Sequence, residues 1–173
     1  MVSMAARVEH PLPPVFDGES RVLLLGTMPS PRSRATGFYY GHPQNRFWSV
    51  LAAAAGEHAP ATREEKLDFL RRHRLALWDV LASCRIDGAS DASIREPVPN
   101  DVAGLLRKAP IFAVFATGET AGRLYDRLCL PSTGVPARRL PSTSAANRGR
   151  WPFEALVERY RAALGAAGEE SDA

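Results

Sequence analysis

The sequence has few cysteines, few lysines and no long apolar run. Its two cysteines, Cys84 and Cys129, lie far apart and lack the close spacing of metal ligands. This pattern argues against a disulfide scaffold, a zinc site and an iron–sulfur cluster, so we expect no cofactor, no metal and a cytoplasmic location. No stretch approaches the roughly 20 apolar residues of a membrane-spanning helix, and we therefore expect no membrane segment.

The basic residues are almost all arginine, because Lys66 and Lys108 are the only lysines. The chain has 22 basic and 19 acidic residues and a net charge of +3, but residues 27–50 and 138–150 contain arginines and no acid. Both segments are also rich in Ser, Thr and Pro. Such segments can bind phosphates, although ordinary surface loops of an arginine-rich protein have the same composition.

The 173 residues are expected to form one α/β domain. Short apolar runs predict strands at 21–26, 75–81, 111–117 and 138–141. Helical periodicity and capping residues predict helices at 46–55, 63–73, 100–108, 119–128 and 152–164. We expect these elements to form a three-layer α/β/α sandwich around a central, mainly parallel four-stranded sheet. The remaining expectations are an irregular lead-in at 1–18, an ordered loop at 83–99 and a flexible acidic tail at 165–173.

Two of the predicted loops leave the same edge of this sheet. Loop 27–45 follows the first predicted strand and loop 141–148 follows the last one. Ligands of parallel α/β sheets bind at the carboxyl ends of the strands, where both loops begin. Because both loops also lie within the acid-free basic segments, the sequence predicts a binding site for a phosphate-containing ligand between them.

The first loop carries groups that suit such a ligand. Gly26 allows a sharp turn at the end of the strand, and the hydroxyl groups of Ser30 and Ser33 can join exposed backbone amides in holding an anion. Three consecutive aromatic residues, 38–40, follow between glycines. At least one of them can stack on a planar base, although packing of the loop onto the core is the other interpretation.

Four segments, GTMPS, FYYGHPQNRFW, WDVLASC and LPSTSAANR, together resemble the uracil-DNA glycosylase superfamily. Within it they are most similar to the hypoxanthine-DNA (deoxyinosine) glycosylase branch, and they lie between Leu23 and Arg148. The resemblance implies a monomeric enzyme that acts on double-stranded DNA and hydrolyses the bond between a deaminated base and deoxyribose, leaving an abasic site. Neither loop contains a lysine, so we expect a monofunctional enzyme, because a Schiff-base lyase needs an amine.

The resemblance has one departure that bears on catalysis. The mismatch-specific branch has an asparagine in its first motif that positions the attacking water, and Met28 occupies this position here, next to Thr27. The hypoxanthine branch resembles this chain in lacking that asparagine, which implies Asn45 of the HPQN segment as the catalytic residue. Asn45 also suits a helix N-cap, and one residue can fill both roles.

The resemblance implies two further groups of residues. The expected base pocket consists of Gly26, Thr27, Met28, Pro29, Phe38, Tyr39, Tyr40 and His42. The expected phosphate and wedge residues are Ser30, Ser33, Ser142, Thr143, Ser144, Asn147 and Arg148. Asp79 and Thr117 are weaker candidates for contact with the base, because a solvated or helix-capping aspartate explains the first and a strand-to-helix turn explains the second.

Two other functions remain open. The near alternative is a mismatch-specific uracil-DNA glycosylase that acts on G/U pairs. The more distant alternative is a nucleotide- or phosphate-binding module without catalysis, since Met28 is also consistent with loss of the ancestral chemistry.

Overall fold

A four-stranded parallel sheet forms the centre of the molecule in the computed structural model, which describes residues 5–169. Its strands are β2 (Val22–Gly26), β3 (Leu75–Asp79), β6 (Ala113–Thr117) and β7 (Ala137–Leu140), in the spatial order β3-β2-β6-β7. All residues of β2 are buried, as expected for a strand covered on both faces. The expected strand set and parallel arrangement are confirmed.

Helices cover both faces of this sheet. The helices are α1 (Pro31–Thr36), α2 (Phe47–Ala55), α3 (Arg63–Arg72), α4 (Val102–Lys108), α5 (Glu119–Leu128), α6 (Leu130–Thr133) and α7 (Phe153–Gly168). Leu24 of β2 packs in one core with residues of α2, α3 and α7, whereas Leu23 and Leu25 pack in a second core with residues of α4 and α5. Because alternate side chains of one strand enter the two cores, the three-layer α/β/α prediction is confirmed.

A small antiparallel sheet corrects two expectations. It consists of β1 (Ala6–Glu9), β4 (Leu81–Ile86) and β5 (Arg95–Pro99), in the order β1-β4-β5. The expected irregular lead-in therefore contains a strand, and the expected loop 83–99 contains most of two strands. Charged and proline residues hide β5 from sequence patterns, and they are tolerated because β5 is an edge strand.

The last helix is longer than expected. We expected its end near Leu164, but α7 continues to Gly168 because Ala163, Ala166 and Ala167 extend the buried stripe of the helix. The first part of the expected flexible tail is thus helical, and residues 170–173 lie outside the described residues. Small side chains allow this segment to pack closely, while Gly165 on the same helix has open space around it.

Candidate active site

A cavity of about 310 Å³ opens at the carboxyl edge of the parallel sheet. We call it the edge cavity. Its walls come from the loop after β2, the loop after β7, the end of β3, the end of β6, and segment 86–91, which starts at the last residue of β4. The expected site residues that line it are Gly26, Thr27, Met28, Pro29, Ser30, Ser33, Tyr39, Tyr40, His42, Asn45, Ser142 and Ser144.

Asn45 lies on the wall of the edge cavity with its carboxamide held in one orientation. Its Oδ1 accepts a hydrogen bond of 2.9 Å from the backbone amide of Phe47 and one of 2.8 Å from the hydroxyl of Thr143. Both acceptor positions of the oxygen are therefore used. Within residues 5–169 the Nδ2 group has no partner, so it is the part of the amide that is left for a ligand.

The two loops meet at this asparagine. The backbone amide of Arg46 donates to the carbonyl of Thr143 over 3.1 Å, and its Nη1 donates to the carbonyl of Trp151 over 2.7 Å. Arg148 donates from Nη2 to the carbonyl of Gln44 over 3.1 Å. Hydrogen bonds between the loops thus fix the distance between the two walls of the edge cavity, which agrees with the expectation that the loops are neighbours.

The three aromatic residues of the first loop have different roles. Tyr40 lines the edge cavity, stacks on Phe47 with 3.7 Å between ring centroids, and lies 3.0 Å from the Thr117 hydroxyl. Tyr39 is almost fully buried and donates its hydroxyl to the carbonyl of Pro13 over 2.8 Å. The expectation for Phe38 needs correction, because its ring packs inward against other aromatic rings and does not line the cavity.

Burial also keeps the Tyr40 phenol neutral. The pKa of Tyr40 is raised above its ordinary value, first because burial disfavours the phenolate and second because the negative charge of Asp79 lies nearby. Tyr40 also has a positive φ of 54°, which is uncommon for a residue other than glycine. The stacking on Phe47 and the contact with Thr117 hold the residue in this conformation.

The serines of the first loop stabilise the loop itself. Ser30 caps α1 by accepting the backbone amide of Ser33 over 3.1 Å. The buried Ser33 hydroxyl accepts the backbone amide of Gly41 over 2.9 Å, which closes the loop. A hydroxyl that is buried and engaged in this way is less suited to a phosphate than a free one, so the expectation for Ser33 is corrected to a structural role.

The residues of the second loop also fall into two groups, those that stabilise the loops and those that line the edge cavity. Thr143 is buried, and its hydroxyl donates to Asn45, so it positions the amide and is not a phosphate ligand. Asn147 donates from Nδ2 to the carbonyl of Ser142 over 2.9 Å and closes the turn. Ser142 and Ser144 line the edge cavity, whereas Asn147 and the exposed Arg148 lie outside its lining.

Sequence reasoning missed part of the wall. Asp79 and Thr117, which were weak candidates, both line the edge cavity. Gly88 and Ala89 line it from the turn after β4, and no sequence signal pointed to them because the small antiparallel sheet was not predicted. His10 was missed as well, although its ring contacts Asp79 from behind.

The strand order and the site at the carboxyl edge place the molecule among the three-layer α/β/α proteins whose ligands bind where parallel strands end. A family model of the uracil DNA glycosylase superfamily matches residues 13–165. The chain therefore belongs to the uracil DNA glycosylase superfamily. The assignment that the sequence motifs suggested is confirmed.

Individual relatives agree with this family. A protein of Methanosarcina acetivorans named hypoxanthine DNA glycosylase is 35% identical over 143 residues, which cover 82% of this chain and 89% of the relative. A protein of the same name from Methanosarcina barkeri is 33% identical over 138 residues, covering 79% and 86%. The solution NMR structure of a Methanosarcina acetivorans protein has a TM-score of 0.75 at 32% identity, covering 89% of this chain and 96% of that one.

Among the helices that the structure describes, none combines the length and the apolar character that crossing a bilayer requires.

Proposed function

We propose that the chain is a monofunctional DNA glycosylase that releases hypoxanthine from deoxyinosine in double-stranded DNA and leaves an abasic site. Membership of the superfamily and two relatives named hypoxanthine DNA glycosylase support this activity. The observation that carries the proposal is the carboxamide of Asn45 on the wall of the edge cavity, fixed between the two loops.

Hydrolysis of the base–sugar bond suits a neutral amide. The bond from C1′ to the base breaks through an oxocarbenium-like state, so the attacking water needs little deprotonation before the base leaves. The Nδ2 group of Asn45 donates a hydrogen bond to the water oxygen and holds it beside C1′. The water oxygen then bonds to C1′ as the bond from C1′ to the base breaks, and the bonding electrons leave with the base. The proton that the bound water gives up goes to solvent, and the departing base takes up one proton, so the products are the neutral base and the C1′ hydroxyl of the abasic site.

Positioning supplies most of the acceleration in this scheme. A water held in line with the breaking bond needs no further loss of translational freedom in the transition state. The DNA phosphates next to the sugar stabilise its developing positive charge. The amide must therefore be rigid, and its two hydrogen bonds from Phe47 and Thr143 make it so.

The remaining residues of the two loops would hold the DNA. Ser142 and Ser144 line the edge cavity and are the proposed phosphate contacts, whereas the Ser30 hydroxyl is engaged with Ser33 in the cap of α1. Extrusion of the base into the cavity costs a few kcal/mol and leaves a gap in the duplex. Arg148 is exposed beside the cavity, and we assign it the role of the wedge that fills this gap.

The chain is also proposed to act as a monomer without a lyase step. Lys66 and Lys108 are its only lysines, and neither lines the edge cavity, so an amine for a Schiff base is absent from the described walls. The two free, buried cysteines suit a reducing cytoplasm.

A panel of duplexes tests the proposal. The protein is incubated with otherwise identical duplexes that contain inosine, uracil, xanthine or thymine, and alkali then converts abasic sites into strand breaks. We expect the fastest breakage with inosine. Breakage with uracil alone would identify a uracil-DNA glycosylase, and binding without breakage of any duplex would identify a non-catalytic module.

A further inference from the structure

A second cavity lies beside the edge cavity and has no part in the mechanism above. Its volume is about 470 Å³, which is within the usual range of ligand sites. We call it the lateral groove. One wall is formed by α5, and the other by residues 91–97, which comprise a short 3₁₀ turn and the first part of β5. Asp91 lines both cavities, so the lateral groove opens directly from the edge cavity.

The wall contributed by α5 is one stripe of the helix. Its residues follow the first of them by three, four and seven positions, which places them on one helical face: Thr120, Arg123, Leu124 and Arg127. The side chains of Arg123 and Arg127 are exposed and lie about one helical turn apart. Nη2 of Arg123 donates to the hydroxyl of Thr120 over 3.5 Å. The stripe therefore presents two positive charges to the groove.

The opposite wall adds a third arginine with a fixed orientation. Nη1 of Arg95 donates to the carbonyl of Ile94 over 2.9 Å and to the carbonyl of Ala92 over 3.3 Å. Within residues 5–169, Nε and Nη2 of this guanidinium make no hydrogen bond, so its other edge is left for a ligand. The planar fork of a guanidinium matches two oxygens of a phosphate. The wall opposite α5 thus offers a preformed contact for a phosphate.

Glu96, one of the two acids that line the groove, is neutralised from outside it. Its Oε2 lies 2.8 Å from Nε of Arg85 and 4.0 Å from Nη1 of Arg7, and neither of these arginines lines the groove. In the described part of the chain, no carboxylate oxygen lies within 4 Å of a guanidinium nitrogen of Arg95 or Arg127. The groove therefore carries positive charge without a counter-ion of its own.

Asp91, the other acid, lies where the two cavities meet. Partial burial raises the pKa of its carboxyl, and the neighbouring hydroxyl of Thr120 and charge of Arg123 oppose this rise. Arg123 therefore compensates the negative charge at the junction. A polyanion can consequently pass from the edge cavity into the lateral groove without meeting an uncompensated carboxylate.

The floor between these charges is apolar. Ile94, Pro97 and Leu124 line it, and each of them is half-buried. A small anion needs only the charged groups and makes no use of such a floor. A nucleic acid strand suits both parts, because its charged phosphates alternate with sugar rings that have apolar faces. The lining thus favours a sugar–phosphate backbone over a free phosphate.

We infer that the lateral groove binds the backbone of the lesion-bearing DNA strand on one side of the extruded nucleotide, with Arg95 and Arg127 contacting phosphates from opposite walls. The inference rests on the proposed function for the identity of the ligand, but it concerns a second site beside the one that performs the chemistry. Contacts of this kind carry no sequence information and fix the position of a protein along the duplex. The groove would thus hold the strand in place while the extruded nucleotide occupies the edge cavity.

The first part of the test measures how salt affects DNA binding by the full chain. The probe is a labelled duplex with an uncleavable tetrahydrofuran abasic site, and binding is followed by fluorescence anisotropy. We expect Arg95→Gln and Arg127→Gln each to weaken binding at least about threefold at about 0.1 M salt. Each should also make the plot of log affinity against log salt shallower by about 1, because one phosphate contact is lost.

A matched control excludes a general effect of charge. Arg107→Gln removes the same charge from an exposed position near the end of α4, which lines neither the edge cavity nor the lateral groove. This variant should bind within about twofold of the unmodified protein and keep the salt slope. Arg127→Lys, which retains the charge, should keep the slope as well. Circular dichroism and thermal unfolding check that all variants fold alike.

The second part of the test locates the contact along the strand. Two series of duplexes are lengthened one base pair at a time, one on the 5′ side of the abasic site and the other on the 3′ side. Lengthening should strengthen binding of the unmodified protein on both sides. In the double variant Arg95→Gln/Arg127→Gln, the gain should be lost on one side and kept on the other.

The outcomes separate this inference from the proposed function. If the double variant binds every duplex as tightly as the unmodified protein, or loses the gain equally on both sides, the groove is not a site for one flanking strand. If inorganic phosphate at millimolar concentration weakens the unmodified protein and leaves the double variant unaffected, the groove is a small-anion site and the inference is overturned. If binding behaves as expected but deoxyinosine is not cleaved, the proposed function fails and the groove remains a DNA site.

Discussion

The hydroxyl of Thr143 donates a hydrogen bond of 2.8 Å to Oδ1 of Asn45, and these residues lie 98 positions apart in the chain. This contact joins the loop after β7 to the loop after β2. It also decides which end of the amide faces the edge cavity, because the oxygen has a second donor in the backbone of Phe47. A residue that the sequence motifs assigned to phosphate binding is thus part of the support for the proposed catalytic amide.

Removing this hydroxyl should impair catalysis without touching the substrate. Thr143→Val keeps the branched shape but loses the donor, and we expect a loss of about 1–2 kcal/mol in the free energy of unfolding. The amide of Asn45 should then be less well oriented, and we expect single-turnover cleavage of deoxyinosine to slow about tenfold. Thr143→Ser, which retains the hydroxyl, should be much closer to the unmodified protein. Equal rates for both variants would contradict the assigned role.

The donor role of the Asn45 amide can be tested more sharply by changing its nitrogen to an oxygen than by removing the whole side chain. In Asn45→Asp, one carboxylate oxygen can still accept from Phe47 and Thr143, so the fold should be preserved. The group that faces the edge cavity changes from a donor to an acceptor, and we expect the rate to fall roughly 100-fold, as for loss of a transition-state hydrogen bond. Asn45→Ala should lose at least as much while DNA binding in a gel-shift assay stays nearly intact. A faster Asn45→Asp enzyme would show that a base, and not a donor, is needed there.

Gly26 is predicted to tolerate no side chain. In Gly26→Ala the new Cβ would lie 2.4 Å from Oδ1 of Asp79, so that carboxylate would have to move. We expect cleavage to fall more than about tenfold, with a moderate loss of thermal stability of the kind that overpacking causes. Gly165→Ala is the matched control, because a Cβ there meets nothing within 4 Å. This control should leave activity unchanged and stabilise α7 by about 1 kcal/mol.

The pH dependence of cleavage should contain no contribution from Tyr40 in the ordinary assay range. Its pKa is raised above the normal value, first by burial and then by the charge of Asp79, so the neutral phenol persists to pH values above about 10. We expect Tyr40→Phe to lower the rate at every pH and to leave the shape of the rate–pH curve unchanged between about pH 6 and 10. If the rate–pH curve of the unmodified protein fell below pH 10 and this fall disappeared in Tyr40→Phe, the phenol of Tyr40 would not be neutral throughout this range.

The proposed wedge can be tested by changing the strandedness of the substrate. Arg148→Ala removes an exposed side chain whose described hydrogen bond goes to the carbonyl of Gln44. We expect the variant to cleave paired inosine at least about tenfold more slowly and single-stranded inosine almost normally, because an unpaired base needs no extrusion. Arg150→Ala, in the same acid-free segment, is the control for a general loss of positive charge. If Arg148→Ala slowed cleavage of paired and single-stranded inosine equally, the proposed role of Arg148 as the wedge would be contradicted.

Much of the parallel sheet was predictable from local patterns. Runs such as Val22–Gly26 are apolar throughout and end at a turn residue, so strand, burial and neighbouring loop could all be read from one segment. The positions of the two loops then followed from the rule that parallel strands present their carboxyl ends at one edge. Because Met28 stands where related motifs have asparagine, the resemblance implied Asn45 as the catalytic residue.

The remaining parts depend on contacts that no local pattern encodes. Phe38, Tyr39 and Tyr40 are consecutive aromatics, yet only packing decides that the first enters the core while the third faces the edge cavity. In the sequence, nothing distinguishes the hydroxyl of Thr143 from those of the neighbouring serines. Only its hydrogen bond to Asn45 in the folded structure shows its role. His10 lies in a proline-rich lead-in without helical or strand periodicity, and its value as a partner of Asp79 appears only in three dimensions.

The span of the chain that contributes to the edge cavity has a consequence during protein synthesis. The wall begins at Gly26 and is completed by segment 142–146, and the ring behind it comes from His10. When a nascent chain has emerged from the ribosome as far as α5, Asn45 is already outside, but Thr143, whose hydroxyl orients it, is still inside the exit tunnel. Unfinished copies thus carry the proposed catalytic amide without its orientation, so we expect base removal only after segment 142–146 has emerged and folded against the first loop.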